Sequence, residues 1–527
     1  MNLDINDLST GYGQKQIIKE LNQRISSGEI TCLIGPNGSG KSTLLRAIAK
    51  LLPMKQGYIY LNGKDISQYK PSEYARKLGF LPQISSQQIQ TTVKELVKRG
   101  RYPYMGIFQN LQDSDEVAIN KALSIAGLME LADKPIDELS GGQRQRAWIA
   151  MALAQDTEIL LLDEPTTYLD INHRHEILQL IDDLCHIENK TVIVVLHDLN
   201  EASLLAHNVI AMANGDVMAF GKGNDIFNSS LMSRLYSTAC EEYKTNAPNN
   251  LPIILPINNQ TIQKSTDDSF PSSLTFNNVK LGYGDQTIIN ELNLEIKQGT
   301  ITVILGPNGC GKSTLLKGLI ADLHPQSGEI LLNNIDTRTL NAHKRAAKIA
   351  MLYQQEDLPE YCSVIEYVQL GRYRHNHWYD QWNRTDRALI DEALSTVNML
   401  EYKKTDIHSL SGGQQQRVRF ARLLVQQSDM IVLDEPTSFL DLKSQVDVLE
   451  CVKKLNKTFG TTVIMVLHDP WQACRYADEV ILMNNGSVTN YGKVKSVLSP
   501  KALTDLYNVP WIDLGKEAPL LMPYHTA

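Results

Sequence analysis

Long hydrophobic runs are missing from this 527-residue sequence. No apolar stretch approaches the roughly 18 residues that a membrane-crossing helix needs, and the opening MNLDINDLSTGYG has neither the basic start nor the apolar centre of a secretory signal. A soluble, cytosolic chain is expected. Cysteine is sparse and unpatterned. Its seven residues, Cys32, Cys185, Cys240, Cys310, Cys362, Cys451 and Cys474, form no CxxC pair, which argues against both a zinc site and a disulfide framework. Runs of like charge are also missing. With 51 basic against 59 acidic residues, a net charge of −8 and no five like charges in a row, nothing here attracts nucleic acid in bulk.

What is present is a duplication. GPNGSGKSTLL, from Gly35 to Leu45, returns as GPNGCGKSTLL, from Gly306 to Leu316, and Lys41 and Lys312 stand 271 positions apart. The same offset carries Tyr12 to Tyr283, Gln83 to Gln354, Ser140 to Ser411, Asp163 to Asp434, His197 to His468 and Tyr236 to Tyr507. One register held over so much chain marks a duplicated domain, and both copies are expected to share a fold. Two repeats of roughly 240 residues also suit a chain too long for one hydrophobic core. The polar stretch NNQTIQKSTDDSFPSS, Asn258 to Ser273, is the expected linker, giving domains at 1–257 and 274–527. The apolar NNLPIILP just before it is placed at the end of the first domain.

Within each repeat an apolar strand runs into a glycine-rich turn and then into helical spacing, as in GEITCLIGPNGSGKS followed by TLLRAIAKLL. EILLLDEP, DMIVLDEP, TVIVVLHD and TVIMVLHD read as short buried parallel strands ending in polar groups. That carboxyl edge is where open α/β sheets bind ligands. Helical patterns near Thr91 to Ala154 and near Ser363 to Val425 predict a helical subdomain in each copy.

Both loops fit G-x-x-x-x-G-K-[ST]. Gly35, Pro36, Asn37, Gly38, Ser39 and Gly40, like Gly306, Pro307, Asn308, Gly309, Cys310 and Gly311, are expected to close backbone N–H groups on phosphate oxygens. Lys41 and Lys312 would reach the outer phosphates. Ser42 and Ser313 would ligate Mg²⁺, and Thr43 and Thr314 follow them onto a helix whose dipole favours anions. Cys310 reads as a small replacement for Ser39 rather than a redox switch. Asp163 and Asp434 suit hydrated Mg²⁺, and the adjoining Glu164 and Glu435 suit activation of an attacking water. LSGGQ recurs at Leu139 to Gln143 and Leu410 to Gln414. Ser140, Gly141, Gly142 and Gln143, and likewise Ser411, Gly412, Gly413 and Gln414, would open a helix as a second anion site.

Glycine loop, glutamine after a strand, LSGGQ, acidic strand and strand-end histidine, in this order and twice over, resemble the motif set of the ATP-binding cassette (ABC) ATPases. The resemblance implies two P-loop NTPase domains, each a RecA-like α/β core with an antiparallel β part and a helical subdomain. It implies ATP and Mg²⁺ as cofactors. Family cassettes pair head to tail, which here would set Lys41 facing Ser411 and Lys312 facing Ser140. Tyr12 and Tyr283 match the aromatic that stacks on adenine. Gln83 and Gln354 match the glutamine that contacts metal and water, with Gln355 as an alternative in the second copy. His197 and His468 match the γ-phosphate histidine, and Asp170 and Asp441 the aspartate that couples the two sites.

GRYPY, LAQDTEILLLDEPTTYLDINHR and VLHDLNEAS in the first repeat look like the ATPase subunits of importers for ferric siderophores, ferric citrate and vitamin B12. The expected partners are therefore a membrane permease and a substrate-binding protein, with the chain peripheral on the cytoplasmic side. Tandem cassettes that act on the ribosome are the rival class. They typically carry a long charged helical linker and lack this LHD context, whereas this sequence has no such linker and keeps the histidine. RHNHWYDQW, Arg374 to Trp382, reads as aromatic contact or packing rather than a metal or haem site.

Overall fold

A computed structural model describes residues 2–83, 90–105, 111–167, 169–243, 252–256, 272–354, 356–373, 384–438, 440–515 and 519–523. The linker segment up to residue 271, Gln355 and RHNHWYDQW lie outside these residues. The chain divides into two compact units, Met1–Asn259 and Gln260–Thr526. Ser272 and Ser273, placed at the end of the expected linker, already belong to the first strand of the second unit.

Strands of the first unit are β1 (Leu3–Tyr12), β2 (Lys15–Ile25), β3 (Ile30–Ile34), β4 (Met54–Leu61), β5 (Lys64–Asp65), β6 (Leu78–Leu81), β7 (Ile159–Asp163), β8 (Thr191–Val195), β9 (Asn208–Ala213) and β10 (Asp216–Lys222). An antiparallel sheet of order β2-β1-β4-β5 packs beside a six-stranded sheet of order β10-β9-β3-β8-β7-β6. In the larger sheet only β10 runs antiparallel to its neighbour. Strands β3, β7 and β8 are buried at every residue, so both faces demand apolar side chains and no alternation survives. The second unit repeats both sheets with the same order and strand directions.

Among the described residues, a core in each unit holds the glycine-rich loop in place. Leu44, Leu45 and Ile48 of the helix Lys41–Ile48 pack against Leu33, Leu161, Ile193 and Ile210 of the large sheet and against Ile5, Ile18 and Ile59 of the small one. Leu315, Leu316 and Leu319 do the same in the second unit with Ile304, Val432, Ile464 and Ile481. The helix that follows the loop is thus wedged between two sheets, and burial of each such side chain stabilises by about 1.5–3 kcal/mol.

The helical segment contains Val93–Lys98, Asp113–Ile125 and Gly141–Ala154, with counterparts Val364–Gln369, Arg384–Thr396 and Gly412–Gln426. A buried ion pair ties them together. Arg101 Nε donates to Asp115 Oδ1 at 2.8 Å and its Nη1 donates to the Ala154 carbonyl at 2.8 Å. Arg372 repeats both bonds, to Asp386 at 2.9 Å and Val425 O at 3.0 Å. NNLPIILP ends in the strand Ile253–Pro256, paired with Cys240–Tyr243 of the first unit. Among the described residues no helix is long and apolar enough to cross a membrane.

Candidate active site

The carboxyl end of β3 delivers the glycine-rich loop. A Cβ on Gly35 would stand 2.0 Å from the Met212 carbonyl, and Gly40 caps the following helix at φ 103, in the left-handed region that favours glycine. Lys41, 5% exposed, donates from Nζ to the carbonyls of Gly35 at 2.7 Å and Pro36 at 3.0 Å. Lys312 does the same to Gly306 at 2.8 Å and Pro307 at 2.9 Å. Each ammonium is thereby fixed inside its own loop. Ser39 and Cys310 hold the same place beneath the loop's first glycine, and burial pushes the Cys310 thiol up, away from the reactive thiolate.

Asp163, at the buried end of β7, accepts from the Ser42 hydroxyl at 2.9 Å. Burial raises its carboxyl, which that bond partly offsets. Asp434 is pushed up to about 6 by burial and by the neighbouring charge of Glu435, and its Oδ1 is buried with no hydrogen-bond partner. A buried carboxylate short of positive charge, beside a hydroxyl, is an all-oxygen donor set that fits Mg²⁺.

Glu164 and Glu435 follow at φ 54 and φ 51, a strained conformation for a residue with a Cβ, costing on the order of 1–3 kcal/mol. It turns each carboxylate onto a ring of donors. Glu164 Oε1 meets His197 Nε2 at 2.6 Å, and Oε2 accepts from Gln83 Nε2 at 2.7 Å and Thr167 Oγ1 at 3.3 Å. In the second copy Glu435 meets His468 Nε2 at 2.7 Å, Ser438 Oγ at 3.0 Å and Gln354 Nε2. Burial alone would raise both carboxyls, but the hydrogen bond and charge at the histidine take each below its ordinary value. Both carboxylates are held ionised, as a proton acceptor must be. Gln354 stands where Gln83 stands in the first copy. Because Nε2 of each glutamine donates to a glutamate, its amide oxygen remains to meet a cation. Thr167 and Ser438 were not singled out from sequence, although DEPTT and DEPTS place a hydroxyl three residues after each glutamate.

Ser140 and Ser411 cap their helices through reciprocal bonds with Gln143 and Gln414. The glycines between them differ in kind. A Cβ on Gly142 would stand 2.0 Å from His173, and one on Gly413 2.5 Å from Ser444, whereas Gly412 has nothing within 4 Å and Gly141 only Leu169 at 3.8 Å. One glycine of each pair permits packing, and the other leaves backbone open to a ligand. Tyr12 and Tyr283 are half exposed, 46% and 47%, at the tips of their strands, which leaves a flat aromatic face available. Asp170 and Asp441 cap the helices Ile171–His186 and Leu442–Phe459 within their own units. A further contact had no sequence signal beyond the shared register: the Gly35 N–H donates to the buried hydroxyl of Tyr236 at 3.1 Å.

A family profile described as "ABC transporter" matches residues 18–167 and 289–438, more than half of the chain. The chain belongs to the ABC transporter family. Its two ABC domains bind ATP and make it an ATPase. Among curated relatives, the ferric enterobactin transport ATP-binding protein FepC of Escherichia coli (strain K12) is 45% identical over 233 residues, 44% of this chain and 86% of FepC. TTE1589 of Caldanaerobacter subterraneus subsp. tengcongensis, which bears the name of an ABC transporter ATP-binding protein, is 28% identical over 529 residues, 94% of this chain and 91% of its own. Tandem cassettes therefore occur elsewhere in the ABC family. Among solved structures, an archaeal ribosome recycling factor, aABCE1, in complex with ribosomal stalk protein aP1, superposes with a TM-score of 0.65 over 98% of this chain and 96% of that one, at 20% identity. At that identity the likeness concerns fold alone.

Proposed function

We propose that this ABC ATPase is the energy-coupling subunit of an importer for a ferric siderophore or related iron chelate, docked peripherally on the cytoplasmic face of a separate permease and served by a substrate-binding protein. The observation that carries the reading is the 45% identity to a ferric enterobactin transport ATPase. The alternative cargo, haem, cobalamin, a metal ion or another nutrient, would use the same engine.

ATP would lie with its adenine on Tyr12 or Tyr283 and its phosphates in the loops Gly35 to Thr43 and Gly306 to Thr314. The LSGGQ serine and glycines of the other cassette would close each site. Ser42, Asp163 and Gln83 would hold Mg²⁺ in one site, and Ser313, Asp434 and Gln354 in the other. An ion held there would supply positive charge to offset the charge of the phosphates. Lys41 and Lys312 orient and neutralise the terminal phosphate. Glu164 and Glu435 take the proton of the attacking water, while His197 and His468 fix those carboxylates and face the γ-phosphate. Asp170 and Asp441 would link the two sites.

The test is co-purification of the chain from detergent-solubilised membranes of its own cells, followed by ATP-dependent uptake in proteoliposomes rebuilt from the recovered permease. Uptake of a labelled ferric siderophore is expected. Transport of another solute alone would reassign the cargo. Recovery with ribosomes and no membrane protein would overturn the transporter reading.

A further inference from the structure

On the first cassette, Cys185, His186 and His207 bring ligand atoms within 4.8 Å of one another. They gather at the amino ends of β3 and β9, the sheet edge opposite the phosphate loop, where His207 N donates to the Ile30 carbonyl. The absence of CxxC spacing argued against zinc, but here the fold rather than the sequence spacing assembles the residues. Cys185 is buried, His207 half-buried and His186 exposed, so the group runs from the core to the surface.

The second cassette is an internal control. At the same offset it carries Asn456, Lys457 and Asp478. Asn456 Nδ2 donates to Gly299 O at 2.9 Å, as Cys185 Sγ does to Gly28 O at 3.2 Å. Asp478 Oδ2 accepts from Ile301 N at 2.9 Å, as His207 Nδ1 accepts from Ile30 N at 3.2 Å. The fold therefore needs only a donor and an acceptor at these places. Neither thiol nor imidazole is required for packing, and a lysine in place of His186 would repel a cation.

We propose that Cys185, His186 and His207 form a binding site for a borderline-soft divalent cation, Zn²⁺, on the first cassette and not on the second. His186 Nδ1 lies 3.2 Å from both the carbonyl and Oδ1 of Asp182, which leaves Nε2 to the metal in the carboxylate–histidine–metal arrangement. Coordination exchanges the long bond of His207 to Ile30 for a metal bond, and Cys185 releases its thiol proton to solvent, giving up its bond to Gly28 O for a thiolate–metal bond. Ligands sharing a tetrahedral zinc ion stand about 3.5 Å apart, and the exposed His186 ring can rotate to close the difference. Burial, then the charges of Asp182 and Glu29, push the Cys185 thiol up, so the thiolate would form only as the cation binds, and those same two charges favour a cation there.

The experiment is calorimetric titration of Zn²⁺ into the full chain, tag-free and stripped of metal, in excess Mg²⁺. One equivalent should bind. Cys185→Asn, which installs the second cassette's own residue and bond, should weaken it about 100-fold or more, since even outer-shell changes cost 10–100-fold, and His207→Asp, which puts an oxygen ligand in place of nitrogen, should weaken it by less. Cobalt in place of zinc should give a thiolate charge-transfer band that Cys185→Asn removes. ATP turnover without zinc should be unchanged in the variants, which reports that they fold. Absence of stoichiometric binding, binding that survives in both variants, or a cobalt complex without the thiolate band would each overturn the site. None of these outcomes bears on the transport reading.

Discussion

Glu164 and Glu435 keep a left-handed backbone in both copies, and a strain repeated after duplication needs a local return. The return is the carboxylate's position on three donors at the edge of the sheet. Glu164→Gln keeps the size and one acceptor oxygen, loses the other to an NH2 donor and cannot accept a proton, so turnover at its own site should fall by roughly 10²–10⁴-fold with Glu435 intact. Steady-state ATPase assays of the single and double variants would measure it. Single-variant turnover equal to that of the parent would remove Glu164 from the chemistry. Open glycines offer a second test. A Cβ added at Gly412 would meet no atom within 4 Å, and alanine at a helix start stabilises by up to about 1 kcal/mol. Gly412→Ala should therefore keep or raise the melting temperature while lowering ATP turnover, because the added methyl stands where ligand must approach backbone. Gly142→Ala, 2.0 Å from His173, should instead lose about 1–3 kcal/mol through overpacking. Motif residues such as these were legible in the sequence because phosphate chemistry restricts which types can serve. The donors on Glu164 beyond His197 and Gln83 were not, since a threonine carries no such restriction.

At the scale of elements, the helical segment is held by charge as well as by apolar packing. Arg101 and Asp115 are 6% and 5% exposed, and removing either partner leaves the other charge buried, at a cost of about 3–5 kcal/mol. Asp115→Asn should lower the unfolding free energy of the first cassette by that amount, read from chemical unfolding curves. The backbone N–H of Gln112, then Arg101, hold the Asp115 carboxyl below its ordinary 3.8 even though burial opposes them. A carboxyl that is more acidic folded than unfolded binds fewer protons in the native state. Its contribution is therefore complete above the unfolded value and is lost as pH falls through the folded one. Acid unfolding curves of parent and variant should be furthest apart above pH 3.8 and draw together only as pH falls through the lower, folded value. Sequence periodicity located these helices but could not reveal the clamp. GRYPY was legible as a family-like string, yet its arginine pairs with a residue 14 positions away, beyond any helical spacing.

At the scale of the molecule, the register of 271 made two like folds legible, and both units have their own core around the loop helix. What a register cannot carry is how one unit meets the other. The chemistry supplies an argument. Each unit presents two helix starts of a kind that suits an anion, Gly40–Lys41 and Ser140–Gly141 in the first and Gly311–Lys312 and Ser411–Gly412 in the second. In each unit one serine–glycine start belongs to the helical segment and the loop belongs to the core. Under the proposed head-to-tail pairing, both kinds of start would meet around one triphosphate, and a site that opens and closes as work is done would be shared across two bodies. Residues 1–259 and 260–527 expressed separately should each fold, because each unit has a hydrophobic core of its own. Held dilute enough to remain monomeric, each half should hydrolyse ATP about 100-fold or more slowly than the intact chain, the range over which preorganised donors at a developing charge act. Mixing the halves should restore turnover with second-order dependence on concentration. A monomeric half that matches the intact chain would place the whole reaction within one cassette and leave the duplication without a catalytic reason.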